Sequence, residues 1–171
     1  MGSYVERLPL PGLAAVVRTV WIQRTDEAAY VQRHLPTGGV EIHFPIGGRP
    51  QLVGPLTGPE IEVIPAHTTI VGVRFHPGTA PPLPTVLDDL VDQRLGLGEL
   101  WGGSVDSLAE AMVVAATPER ALVLLQSQLR VLPDRPPGVG KLLAKGVNVR
   151  RDEFLEGVSV VGHLSPPSNR A

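Results

Sequence analysis

Glu41 and His43 stand two residues apart in LPTGGVEIHFPI (35–46), and Arg74 and His76 stand two apart in TIVGVRFHPG (69–78). Residues i and i+2 of a β-strand project from the same face, so each pair presents its polar groups on one side of its strand. If the two polar faces meet, a carboxylate, a guanidinium and two imidazoles form a wall suited to a small polar or acidic effector. The alternation by itself predicts less: a one-sided sheet with this polar row turned to solvent. Glu41, His43, Arg74 and His76 are the candidate ligand-binding residues, joined by Trp21, one of two tryptophans in the chain. Catalysis in the same cavity would need Glu41 or His43 to move a proton in a cofactor-free rearrangement or cyclisation.

Other chemistries find less support. There is no cysteine, which excludes disulfides, thiolate nucleophiles and cysteine metal sites. His34, Glu41, His43, His67 and His76 supply imidazole and carboxylate ligands in principle. The H-x-H pair followed by a nearby Glu that marks metal cupins is missing, so scattered surface histidines, no metal and no cofactor are the expectation. No G-x-S-x-G elbow is present. The pairs Gly38–Gly39, Gly47–Gly48 and Gly102–Gly103 read as turns, because none joins a strand to a helix with phosphate-loop spacing. Trp21 and Trp101 are expected to plug the core more than to line a pocket, since aromatics make up only 4% of the residues.

The elements that position these groups follow from pattern. Val40, Ile42, Phe44 and Ile46 alternate with Glu41, His43 and Pro45, and Val71, Val73 and Phe75 alternate with Gly72, Arg74 and His76, the period of half-buried strands. Gly12–Arg24 reads as a strand, as do Tyr30–Leu35 and residues 51–54 and 60–64, with a Gly/Pro-rich hairpin at 47–50. Residues 84–92 support a short helix starting near Pro84 or Thr85, and 105–115 a second with Ser104 as N-cap. Thr117–Pro118–Glu119 then gives a capping hydroxyl, a proline where no amide donor is needed and an acid in the first turn. The helix it opens carries Ala121, Leu122, Leu125, Leu129 and Leu132 on one stripe, and Pro133 stops it. Short strands followed by segregated helices predict an α+β fold: a small antiparallel β-barrel or sandwich, then two or three helices. The leucine stripe is more apolar than a helix lying on a small barrel needs, which predicts a homodimer through residues 117–132.

Residues 1–132 form one domain in this reading, and 133–171 a Pro/Gly-containing tail. The first part holds 9 basic and 13 acidic residues and the second 6 and 4, so the body is net negative and a poor match for nucleic acid. No stretch approaches the roughly 20 apolar residues of a membrane span, and a cytoplasmic location is expected.

One ordered set of motifs goes further. Leu35–Pro36 with Gly38 and Glu41, the GPLTG turn (54–58), Gly72, Arg74, Phe75, Pro77 and Gly78, and the LGELWG run (97–102) together resemble the N-terminal sensor region of AraC-type transcription regulators over about residues 10–132. The resemblance implies a β-rich, cupin-like domain that binds a small molecule without turning it over. Its relatives follow this region with two helix-turn-helix units of roughly 100 residues. The 39 residues after Leu132 are too few for such a module, and their prolines and glycines would interrupt it, so no DNA contact by this chain is expected.

Overall fold

The computed structural model describes residues 2–83 and 85–131; the expectations for Pro84, Leu132, the stop at Pro133 and the tail at 133–171 lie outside them. Strands β1 (Ser3–Arg7), β2 (Val17–Arg24), β3 (Tyr30–His34), β4 (Glu41–Pro45), β5 (Gln51–Val53), β6 (Glu60–Ile64) and β7 (Thr69–Phe75) come first. A 3₁₀ turn (Leu87–Leu90), β8 (Arg94–Gly96) and helices α1 (Leu97–Trp101), α2 (Ser104–Val113) and α3 (Pro118–Val131) follow. Six strands form one antiparallel sheet in the order β1-β2-β7-β4-β5-β8, and β3 and β6 pair separately as a two-stranded sheet. The expected α+β class, with helices after strands, holds.

One face of the large sheet carries the core. Val20 and Ile22, Val71, Val73 and Phe75, Ile42 and Phe44, and Leu52 all project to it, where they meet Leu97, Leu100, Trp101, Leu108, Met112, Leu122 and Leu125 of the helices. With so few rings in the chain, β-branched and leucine side chains fill this layer. Trp101 sits here as a core residue, its indole N–H donating to Pro82 O at 3.2 Å. Gly54 is held by a close approach: a Cβ there would overlap the Leu90 carbonyl.

Several boundaries depart from expectation for identifiable reasons. Strand β2 begins at Val17 and not at Gly12, because residues 10–17 coil into turns whose amides bond back to Leu10 O and Leu13 O. The helix expected at 84–92 is a single 3₁₀ turn. Ser104 is not an N-cap: its hydroxyl donates backward to Trp101 O at 2.9 Å, and Gly103 holds the capping position. Thr117 does cap α3, its hydroxyl oxygen accepting the Arg120 amide at 3.3 Å. Strands β1 and β8 and helix α1 lie in segments too short or too mixed to show a period.

The stripe on α3 is spent within the chain. Ala121, Leu122, Leu125 and Leu129 are buried against the body, and Leu125 is fully enclosed, so Leu125→Asp would break the core before it could report on a dimer. Val123 and Val131 are the exposed large apolar residues of this helix. The stripe also contains a buried polar residue, Gln126, whose side-chain oxygen accepts the Leu10 amide at 2.8 Å while its NH₂ donates to Leu122 O at 3.3 Å. It ties the turn before β2 to the helix. Gln126→Leu keeps the apolar volume but strands the Leu10 N–H, and urea denaturation is expected to show a loss of about 1–3 kcal/mol.

Candidate functional site

The opposite face of the large sheet is polar and is covered by the small sheet. Tyr4 and Glu6 from β1, Trp21 and Gln23 from β2, Arg74 from β7, Glu41 and His43 from β4, and Arg94 from β8 project to it, as the strand registers require. From the other side β3 offers Gln32 and His34, and β6 offers Glu60, Glu62 and Ile64. The polar row expected to face solvent is therefore enclosed: His43 is 4% exposed.

These groups form a ladder of alternating charge. Glu6 accepts from Arg74 Nη1 at 2.7 Å, and Arg74 Nε donates to Glu41 at 2.7 Å. The other Glu41 oxygen lies 3.4 Å from His43 Nε2, and His43 Nδ1 lies 3.9 Å from Glu62 Oε2. That Glu62 oxygen also meets His34 Nε2 at 2.7 Å and Arg94 Nη2 at 3.1 Å, and Arg94 reaches on to Glu60 at 3.2 Å. Every rung but Glu41–His43, which lies within β4, crosses between strands, and Arg94 joins the two sheets through Glu62 and Glu60.

Burial alone would push the carboxyls of Glu41 and Glu62 up. The hydrogen bonds and positive charge around them win: His43 and Arg74 bring Glu41 down to about 2, and His34, Arg94 and His43 do the same to Glu62. Burial pulls Arg74 down, but its bonds to Glu41 and Glu6 outweigh this and hold it firmly protonated. Burial and the hydrogen bond to Glu6 push the Tyr4 hydroxyl well up.

Trp21 closes one side of this space. Its ring lies over Gly72, where a Cβ would overlap the indole, and it meets His43 edge-on at 5.1 Å and Tyr4 at 5.9 Å between centroids. With Ile64 and Ile70 it forms a small apolar cluster apart from the main core. Its indole N–H is buried without a hydrogen-bond partner among the described residues. A cavity of about 480 Å³ opens beside it, lined by Tyr4, Trp21, Gln23, Tyr30, Gln32, His34, Glu41 and Arg74 among others.

Of the residues expected from sequence, Glu41, His43, Arg74 and Trp21 are brought together here. His76 is not. It lies past the end of β7, where the chain turns away, and its ring sits 3.2 Å from Ala14 O. His67 occupies the β6–β7 turn with a positive φ of 56°. His34 and His43 are not scattered surface histidines: their rings are 5.4 Å apart. His34, Glu62, Arg94, Tyr4 and Glu6 were not singled out as ligand-binding residues from the sequence. The spacing of Glu60 and Glu62 was a usable signal, since i and i+2 must share a face.

A two-sheet α+β domain with a charged, partly enclosed site between its sheets is the class of protein that this geometry defines. A family model described as a domain of unknown function, DUF6597, matches residues 5–95, which is 91 of the 171 residues, and the chain belongs to that family. No curated protein and no solved structure matches it.

Two outcomes follow. Glu41 and Glu62 have folded-state values below the ordinary 4.5, so their contribution is complete above that pH and is lost as pH falls toward 2. The urea midpoint is expected to fall steeply between pH 4.5 and 2, with a shallower fall in Glu41→Gln. Gly72→Ala forces the Trp21 ring off its seat, with an expected loss of about 1–3 kcal/mol and a shift in tryptophan emission.

Proposed function

We propose that the chain is a cytoplasmic, cupin-like sensor module, akin to the ligand-binding part of AraC-type regulators, that holds an uncharged small molecule in the inter-sheet cavity. The observation that carries this reading is the cavity itself, whose volume of about 480 Å³ suits a metabolite-sized ligand. Its charged lining cancels: Arg24 and Arg74 stand against Asp26 and Glu41. Arg74 is engaged by two carboxylates, so it has little left to offer an acidic effector. What remains for recognition is aromatic surface from Trp21, Tyr4 and Tyr30 and the neutral amides of Gln23 and Gln32, which bond to each other at 3.2 Å. A flat ligand with hydrogen-bonding edges fits that chemistry.

The enzymatic alternative is weaker on the same geometry. A carboxylate drawn down to about 2 is a poor general base at neutral pH, and Glu41 is such a group. Its bonds to Arg74 and His43 make it a structural anchor.

Thermal-shift screening of neutral heterocycles beside carboxylic acids tests the reading, with mass spectrometry of the recovered ligand. A neutral ring compound is expected to stabilise the protein and to be recovered unchanged. Tyr30→Ala and Gln32→Ala lie outside the ion ladder and are expected to weaken binding about tenfold or more, a loss of about 1.4 kcal/mol. Selective stabilisation by acids, or conversion of the compound to a new product, would contradict it.

A further inference from the structure

Around Glu62 the charges of the ladder do not balance. Four carboxylates, Glu6, Glu41, Glu60 and Glu62, share two guanidiniums, Arg74 and Arg94. Glu6 is exposed to solvent, so among the covered groups Glu41, Glu60 and Glu62 stand against Arg74 and Arg94 and leave one negative charge to be offset. A covered excess of this kind is expensive unless a cation meets it.

The donor atoms are placed to receive one. One ligand atom from each of His34, His43 and Glu62 lies within 4.8 Å of the others, and the three residues come from three different strands. His43 Nε2 faces the Glu41 carboxylate at 3.4 Å, and its Nδ1 faces Glu62 Oε2 across 3.9 Å, a gap too long for a hydrogen bond. A ring nitrogen and a carboxylate oxygen at that separation can share a cation, since metal–nitrogen and metal–oxygen bonds are each about 2.0–2.2 Å. The Glu41–His43 contact matches the usual support of a metal-bound imidazole, in which a carboxylate takes the other ring N–H and fixes the tautomer.

We infer that His34, His43 and Glu62 form a binding site for a first-row divalent transition metal, bridging the two sheets and adjoining the cavity at His34. Two imidazoles and one carboxylate favour zinc, cobalt, nickel or iron over magnesium and calcium. His34 lines the cavity, so the site and the place where a small molecule would sit adjoin at that residue. Binding replaces the 2.7 Å contact between His34 Nε2 and Glu62 with bonds from both groups to the cation. Arg94, 3.1 Å from the same oxygen, is the group the cation must compete with. The inference goes beyond the ligand-binding reading and does not depend on it, because the metal can be titrated with no effector present.

The test uses untagged full-length protein, stripped with a chelator and titrated calorimetrically with Zn²⁺, with Co²⁺ as an optical probe. One equivalent is expected to bind, with visible Co²⁺ bands of nitrogen and oxygen coordination. His34→Gln and Glu62→Gln are each expected to weaken binding at least about tenfold, whereas His67→Gln and His76→Gln leave it unchanged. Arg94→Met removes the competing charge and is expected to tighten it. Circular dichroism checks that each variant is folded; should Glu62→Gln fail to fold, His34→Gln and Arg94→Met decide. Absence of one-equivalent binding to the wild-type chain, or binding that persists in His34→Gln and Glu62→Gln, would overturn the inference.

Discussion

Enclosing Glu41 between the two sheets is the constraint on which the site depends. A carboxylate removed from water must be met by donors from neighbouring elements, and Arg74 and His43 meet it from the adjacent strand and its own. Arg74 in turn reaches Glu6 on β1, the edge strand paired to β2, and His43 points to Glu62 on the far sheet. Each group makes sense only with the next. The ladder gives the small sheet a charged attachment at Glu62 and Glu60 in addition to the apolar contact of Ile64 with Trp21 and Ile70.

This arrangement separates two jobs by face. The helix side of the large sheet is a conventional apolar core, from Val20 to Leu125, and it carries the stability. The other side is freed to hold polar chemistry around Trp21, which Gly72 admits by having no side chain. The cavity exists because that layer is organised by ion pairs and one indole in place of close-packed aliphatics.

The large sheet was legible from its alternation: the polar residues at 41, 43 and 74 do share a face, and Val40, Ile42, Phe44, Val71, Val73 and Phe75 are core. What alternation could not show is that the polar face is covered. The small sheet misleads for the same reason. In β3 and β6 the apolar residues Val31, Ile61 and Val63 are the exposed ones, while His34, Glu60 and Glu62 turn inward. A rule that sends apolar groups inside inverts most of this sheet, because its inner face meets charge everywhere except at Ile64, which packs on Trp21 and Ile70. Arg94 was hidden further, on a three-residue strand too short to have a period. His76 was grouped with Arg74 because the spacing argument was carried one residue past the strand's end at Phe75.

The central claim is that buried, mutually dependent charges hold this polar layer together. A double-mutant cycle on Glu41→Gln and Arg74→Met, followed by urea denaturation at neutral pH and moderate salt, measures that dependence directly. The account predicts a coupling energy of about 2 kcal/mol or more, well above the few tenths typical of an exposed pair. Additive losses within about 0.5 kcal/mol would contradict it.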